Sequence, residues 1–170
     1  MKPKVKIYID GANMFYTQKR LGWFIDWKEV KGFIEKEKEV IEWRYYVGVK
    51  DEDEKMQKYL RYLNKIGFNT ITKPLKKIKV SSTEKDFIFK ANFDVEITAD
   101  ILLDKFKIDE IILFSGDSDF IYLIKKLKDS GVKVSIYSSK KTISWELKIG
   151  GSKIFYLEKI KDIIKREIKE

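Results

Sequence analysis

The sequence of 170 residues contains no cysteine and no histidine, and it has only two prolines. Without cysteine the chain can form neither disulfides nor thiolate nucleophiles, and zinc sites built from cysteine and histidine are excluded. The lack of histidine also removes every catalytic pair in which an imidazole activates a serine or a cysteine. Any chemistry of this chain must therefore use carboxylates, hydroxyls, amines or a metal bound by oxygen atoms.

The chain is rich in lysine and poor in arginine. Lysine and arginine together number 36 against 27 acidic residues, which gives a formal net charge of +9. An excess of this size favours binding to a polyanion such as nucleic acid, although a lysine-coated soluble surface is the simpler interpretation. Specific base recognition usually depends on arginine, so sequence-nonspecific contact with phosphates is the favoured prediction. The arginines are Arg20, Arg44, Arg61 and Arg166.

No segment is typical of a signal peptide or a membrane span. Met1–Asp10 carries three lysines and no long apolar run. The longest apolar runs, such as Ile111–Phe114, are far too short to cross a bilayer. We therefore expect a cytoplasmic protein that does not associate with membranes.

Short apolar runs alternate with amphipathic segments, which predicts an α/β domain with a mainly parallel sheet over residues 1–170. Ile111–Ser115 is the most apolar run and should be a central strand. The helix Asp94–Phe106 should turn Val95, Ala99, Leu102 and Phe106 towards the core. The other predicted strands are Val5–Asp10, Val40–Val49, Phe68–Lys73, Val132–Tyr137 and Lys153–Tyr156. The other predicted helices are Ala12–Leu21, one beginning at Asp26, Glu54–Ile66, Phe120–Lys128, Thr142–Ile149 and Glu158–Lys169.

Residues 73–93 combine many lysines with apolar and aromatic residues. We expect a β-hairpin in which Leu75–Val80 pairs with Asp86–Lys90. Lysines often protect an exposed strand edge, so a solvated edge is one interpretation. The other is a basic, aromatic-bearing arm that holds a nucleic-acid backbone. Its candidate contacts are Lys76, Lys77, Lys79 and Lys90.

Acidic residues stand where a parallel sheet would bring them together. Asp10 ends the first strand, Asp117 and Asp119 follow the central strand, and Asp94 begins the helix before that strand. Ligands of open parallel sheets bind outside the carboxyl ends of the strands. Each residue alone could cap a helix or form a turn. The combination favours a site, because capping needs one carboxylate and the Asp117 loop supplies two.

Carboxylates gathered in this way repel one another unless a cation intervenes or one of them is protonated. With only oxygen ligands available, the predicted cation is Mg²⁺ or Mn²⁺. Such a site suits hydrolysis of a phosphodiester, because the metal lowers the pKa of a bound water and neutralises charge on the leaving oxygen. The surrounding lysines would hold the polyanionic substrate.

Three segments resemble the NYN domains of the LabA-like group, within the wider PIN-like nuclease fold. They are Ile7–Asn13 (IYIDGAN), Lys90–Leu103 (KANFDVEITADILL) and Leu113–Phe120 (LFSGDSDF). The resemblance implies a Rossmann-like three-layer α/β/α fold and a metal-dependent ribonuclease whose partner is RNA. It assigns metal binding and catalysis to Asp10, Asp94, Asp117 and Asp119.

The same resemblance implies supporting roles for three further residues. Asn13 and Ser115 would orient water, phosphate or the neighbouring carboxylates. Asp100 matches a recurrent second acid of the middle motif, but it stands more than a helical turn from Asp94. Its position four residues after Glu96 is unfavourable unless a cation intervenes.

Two other functions remain open at this stage. A PIN-like domain can keep its scaffold and act as a non-catalytic RNA-binding or adaptor domain. A haloacid-dehalogenase-type phosphatase would use Asp10 as its nucleophile, but Ala12 stands where that mechanism needs a second acid. A homodimer could use exposed aromatic residues such as Trp145 or Tyr156, although packing in the core is the favoured use of both.

Overall fold

The computed structural model of the chain describes residues 1–79, 87–105 and 107–167. Its strands are β1 (Lys4–Asp10), β2 (Glu39–Val49), β3 (Asn69–Pro74), β4 (Lys76–Lys79), β5 (Phe87–Lys90), β6 (Glu110–Phe114), β7 (Lys133–Ser138) and β8 (Lys153–Tyr156). Its α-helices are α1 (Gly11–Leu21), α2 (Trp27–Glu35), α3 (Glu54–Lys65), α4 (Asp94–Leu102), α5 (Ile121–Asp129), α6 (Trp145–Ile149) and α7 (Lys161–Ile164). Two short 3-10 turns, Ser118–Phe120 and Leu157–Ile160, precede α5 and α7.

Six of these strands form one parallel sheet in the order β3-β2-β1-β6-β7-β8. The chain builds β2 and β3 on one side of β1 and then returns to place β6 on the other side. The strand order therefore reverses between β1 and β6, which is where open α/β sheets bind their ligands. Ile9 lies opposite Phe114 in the register of this pair, so Asp10 and Ser115 both follow at the carboxyl edge.

Helices cover both faces of the sheet, and this confirms the predicted three-layer fold. Side chains of β1 alternate, with Ile7 and Ile9 in the core on one face and Tyr8 in the core on the other. All five residues of β6 are buried, as the prediction of a central strand requires. Among the described residues, no helix has both the length and the apolarity needed to cross a membrane.

The prediction for the inward face of α4 was wrong. Val95 and Leu102 are exposed, and Ile97 and Ile101 are the buried residues of this helix. Apolar residues occur all around α4, so their spacing does not define one face. The helix also ends at Leu102, and Phe106 lies outside the described residues.

Two other predicted helices are shorter than expected. The helix predicted over Thr142–Ile149 begins only at Trp145, because Ser144 caps it by accepting a hydrogen bond from the Leu147 amide. In place of the helix predicted over Glu158–Lys169, the chain has the 3-10 turn and the four-residue α7. The start of α6 is set by a local cap, which residue periodicity does not reveal.

Strands β4 and β5 form a separate antiparallel pair beyond the end of β3. Lys76 lies opposite Lys90, and Ile78 lies opposite Ile88. All of the residues in the two strands are exposed. Val80 and Asp86, the predicted ends of these strands, lie outside the described residues.

Candidate metal centre

Asp10 joins β1 to α1 and is only 7% exposed. One of its carboxylate oxygens accepts a hydrogen bond from the Asn13 amide at 3.1 Å, and so caps α1. The other accepts from the Ser115 hydroxyl at 3.2 Å. Burial raises the pKa of Asp10 to about 6, and the charges of Asp94 and Asp117 act in the same direction against these hydrogen bonds. Asp10 is therefore a buried carboxyl group at the carboxyl edge of the sheet, and two hydrogen bonds hold it in place.

Two glycines allow the loops of the site to pack closely. A side chain on Gly11 would collide with the backbone oxygen of Tyr46 on the neighbouring strand. A Cβ on Gly116 would lie 2.8 Å from both the Ser138 hydroxyl and the Thr142 backbone oxygen. Glycine is therefore required at both positions by lack of space.

Asn13 and Ser115 connect the two loops that follow β1 and β6. The Asn13 side-chain oxygen accepts a hydrogen bond from the Gly116 amide at 2.9 Å. The Ser115 hydroxyl, which donates to Asp10, accepts in turn from the Asp117 amide at 3.2 Å. Both side chains therefore fix the position of one carboxylate-bearing loop against the other.

Asp117 caps the 3-10 turn that leads into α5. One of its carboxylate oxygens accepts a hydrogen bond from the Asp119 amide at 3.0 Å. The helix-capping interpretation therefore holds for Asp117 as well as for Asp10, and it uses one oxygen of Asp117. The other oxygen of Asp117 and the carboxylate of Asp119 are left to other contacts.

Asp94 stands at the start of α4, but its carboxylate does not cap the helix. The Asp94 amide donates to the side-chain oxygen of Asn92 at 2.8 Å. Asn92 thus provides an acceptor for a free backbone amide at the start of the helix. Carboxylate oxygens of Asp94, Asp117 and Asp119 lie within 4.8 Å of one another. Burial raises the pKa of Asp94, and the charges of Asp117 and Asp119 raise it further. The three side chains form a group with the spacing of metal ligands.

No lysine or arginine of the described residues forms an ion pair with Asp10, Asp94, Asp117 or Asp119. Asp10 lies outside the group of three, and its charge interacts with two of them. Carboxylates held together without a basic partner repel one another, and a divalent cation relieves that repulsion. An all-oxygen donor set of this kind suits Mg²⁺ or Mn²⁺.

Asp100 is engaged elsewhere. It accepts a hydrogen bond from the Tyr46 hydroxyl at 2.7 Å and pairs with Arg44 at 3.0 Å. Its neighbour Glu96 pairs with Lys73 at 2.5 Å. The positive charges that offset the repulsion between Glu96 and Asp100 thus come from Lys73 in β3 and Arg44 in β2. These two ion pairs hold α4 against the sheet.

The predicted nucleic-acid contacts lie on the β4–β5 hairpin. Lys76, Lys77, Lys79 and Lys90 are all exposed. The Lys77 ammonium lies 3.8 Å from the centre of the Phe87 ring. Lys76 is one of the charges that lower the pKa of Glu96, after the stronger hydrogen bond from Lys73. The hairpin therefore extends the basic surface up to the helix that carries Asp94.

The parallel sheet and the carboxylates gathered at its switch point agree with the PIN-like nuclease fold. The model of the NYN domain matches residues 4–158, and the chain belongs to this family. It is 32% identical over 165 residues to the low amplitude and bright protein LabA of Synechococcus elongatus. The aligned residues cover 96% of this chain and 88% of LabA. A crystal structure of a Vibrio parahaemolyticus protein of unknown function has a TM-score of 0.78, with 24% identity and 97% of each chain covered. This last likeness concerns the fold alone.

Proposed function

We propose that this protein is a divalent-metal-dependent ribonuclease that hydrolyses RNA phosphodiester bonds. The observation that carries the proposal is the group of Asp94, Asp117 and Asp119, whose oxygens lie within 4.8 Å of one another at the switch point of the sheet. Membership of the NYN domain family, a PIN-like nuclease family, supports the same reaction class. The absence of histidine and cysteine agrees with a mechanism that needs neither.

The donor set fits the proposed cofactor, Mg²⁺ or Mn²⁺. Asp94, Asp117 and Asp119 would hold the cation, with Asp10 beside them. The chemistry that such a cation supplies when bound is a lowered pKa for the attacking water and neutralisation of charge on the phosphate. Burial and the charges of Asp117 and Asp119 raise the pKa of Asp94, and a bound cation would favour its ionised form.

The residues of the chain itself have separate tasks in this mechanism. Asn13 and Ser115 keep the two acidic loops in register through their hydrogen bonds to Gly116 and Asp10. Asp10 is held by the Asn13 amide and the Ser115 hydroxyl beside the three other acids, where it would support the bound cation. Asp119 is the most exposed of the acids and is the one that solvent and substrate reach first.

RNA is the proposed partner because the chain is basic and exposes lysines on the hairpin near α4. The chain has a net charge of +9 although its site contributes four acids. The hairpin lysines, beginning with Lys76 near Glu96, give the phosphate backbone a path towards Asp94. Contacts of this kind are sequence-nonspecific and weaken as salt is raised.

The test is an RNA-cleavage assay with purified protein, 5′-labelled single-stranded RNA and either Mn²⁺ or Mg²⁺. We expect cleavage with either metal and none with EDTA. If the protein binds RNA and cleaves none of the RNA substrates with either metal, the adaptor interpretation replaces the proposal. Release of phosphate from a small phosphomonoester without RNA cleavage would instead revive the phosphatase interpretation.

A further inference from the structure

Three helical segments begin at the carboxyl edge of the sheet, next to the acidic centre, and each exposes an aromatic ring. Helix α1 follows Asp10, and the turn into α5 follows Asp117. The third, α6, begins after Ser144, whose amide donates to the Gly116 oxygen at 2.9 Å. The exposed fractions are 55% for Tyr16 in α1, 68% for Tyr122 in α5 and 69% for Trp145 in α6. We call these three side chains the aromatic rim.

Two rings of the aromatic rim share a helical face with residues of the acidic centre. Tyr122 follows Asp119 by three residues through a continuous helical segment, so the two side chains share a face. Tyr16 follows Asn13 by three residues within α1 in the same way. The prediction that Trp145 packs in the core was wrong, because this ring is exposed.

A lysine follows each ring of the aromatic rim by one helical turn. Lys19 follows Tyr16, Lys126 follows Tyr122, and Lys148 follows Trp145. The Lys126 ammonium lies 5.5 Å from the centre of the Tyr122 ring. All three lysines are exposed. Tyr122 and Lys126 thus place a ring beside a cation, which suits a ligand that alternates flat apolar groups with negative charges.

We propose that the aromatic rim stacks the unpaired bases of single-stranded RNA while Lys19, Lys126 and Lys148 contact its phosphates. The proposal rests on the proposed function for its ligand, and it adds that the substrate is unpaired. Bases in a duplex present no free face for stacking, whereas bases in a single strand do, and stacking tolerates any sequence. The lysines favour RNA over a second copy of this chain, because a copy with a net charge of +9 would be repelled.

The distribution of tryptophan provides a direct test. The chain has four tryptophans, of which Trp23, Trp27 and Trp43 are buried and Trp145 alone is exposed. A base stacked on Trp145 should therefore quench intrinsic fluorescence through this one residue. The probe is an unstructured RNA of about 12 nucleotides, a length within the range of known single-strand sites. It is compared with the same strand annealed to its complement.

We expect the single strand to quench the fluorescence and the duplex to leave it unchanged. Trp145→Phe should abolish the quenching but keep the affinity, which is measured by anisotropy of labelled RNA. Trp145→Ala should weaken binding about 5- to 150-fold, the range that alanine substitution of a stacking residue gives. Phe24→Ala is the matched control, because Phe24 is similarly exposed but follows the far end of α1. It should bind as the unaltered protein does.

The measurements are made in the Asp117→Asn background so that the RNA is not cleaved. Stacking is then observed whether or not the unaltered protein cleaves RNA, so the two proposals can fail separately. Equal quenching by duplex, no quenching by the single strand, or unchanged affinity in Trp145→Ala would each overturn the aromatic rim as a base-stacking surface. Fluorescence that depends on protein concentration and not on RNA would overturn it in favour of an interface between two copies.

Discussion

Two groups of acidic side chains in this protein have opposite surroundings. Glu96, Asp100, Asp104 and Glu110 each pair with a lysine or an arginine. Asp10, Asp94, Asp117 and Asp119 form no ion pair with any basic residue in the described part of the chain. The first group holds strands and helices together, and the second is concentrated at one edge of the sheet.

The difference does not arise from a shortage of positive charge. The chain carries 36 basic residues against 27 acidic ones, and even the buried Asp104 has a lysine, Lys6, beside it. Leaving four acids unpaired at one place costs stability through mutual repulsion. The proposed function explains that cost, because a metal site must remain open for a cation that the chain does not provide. We therefore predict that the four paired acids determine stability and that the four unpaired acids at the edge of the sheet determine activity.

The largest expected effect is on catalysis. Asp117→Asn should lower RNA cleavage on the order of 1,000-fold, because it removes one of the charges that hold the metal. Asp129→Asn makes the same chemical change at the exposed far end of α5 and should leave cleavage unchanged. Rates are measured on labelled RNA with both variants purified in parallel. Equal rates for Asp117→Asn and the unaltered protein would show that the activity does not depend on this centre.

The next largest effect is on stability in the paired group. Lys6→Met should lower the free energy of unfolding by about 3–5 kcal/mol, because it leaves the buried carboxylate of Asp104 without its lysine. Combining it with Asp104→Leu should recover most of that loss, since an apolar pair replaces the buried ion pair. Both are measured by urea unfolding. A single variant as stable as the unaltered protein would break the proposed division of tasks.

Asp10→Asn should raise the free energy of unfolding in the absence of metal, which is the opposite of the effect of Lys6→Met. The pKa of Asp10 is about 6 in the folded protein against an ordinary value of 3.8, so the folded state binds the proton more tightly than the unfolded state. The free energy of unfolding therefore falls as pH rises through this interval. The asparagine does not ionise, and the variant should be about 2 kcal/mol more stable than the unaltered protein at pH 7.5 in EDTA.

Unfolding curves at about pH 4 provide the control, because there Asp10 is largely protonated in the folded state and the difference should shrink. Adding Mn²⁺ at pH 7.5 should stabilise the unaltered protein more than the variant. A variant that is less stable at pH 7.5 would mean that Asp10 serves the fold and belongs with the paired acids.

The smallest effect concerns the hairpin. Replacing its lysines by glutamine should weaken RNA binding a few-fold at moderate salt and reduce the slope of affinity against salt by up to about 0.7 for each lost phosphate contact. The four positions are Lys76, Lys77, Lys79 and Lys90. The matched control replaces four lysines near the amino edge of the sheet, which are Lys4, Lys107, Lys133 and Lys153. Equal losses in both variants would show only a nonspecific effect of net charge.

The positions of Asp10 and Asp117 could be predicted because apolar strands end just before them, and parallel strands bring their carboxyl ends to one edge. The basic partners of the paired acids could not be predicted from the sequence. Lys6 and Asp104 are 98 residues apart, and neither residue occurs in a pattern that indicates the other. Such contacts depend on how α4 lies across β1 and β2, which only the folded chain defines.

The face of α4 shows a second limit of sequence reasoning. Val95, Ala99 and Leu102 form one apolar stripe, while Ile97 and Ile101 form another, which shares its face with Asp94. The second stripe is the buried one, so a single face carries Asp94 to the site at its start and packs in the core further on. Periodicity alone could not choose between the stripes. The buried stripe is the one whose face also brings Asp94 to the acidic group.

The most direct test of the unpaired group is a crystal of the protein soaked in Mn²⁺, with the ion located by anomalous scattering. The account predicts an ion that contacts Asp117 and at least one of Asp94 and Asp119, with Asp10 beside it. A Mn²⁺ ion bound only elsewhere, or no ion at this centre at a saturating concentration, would contradict it.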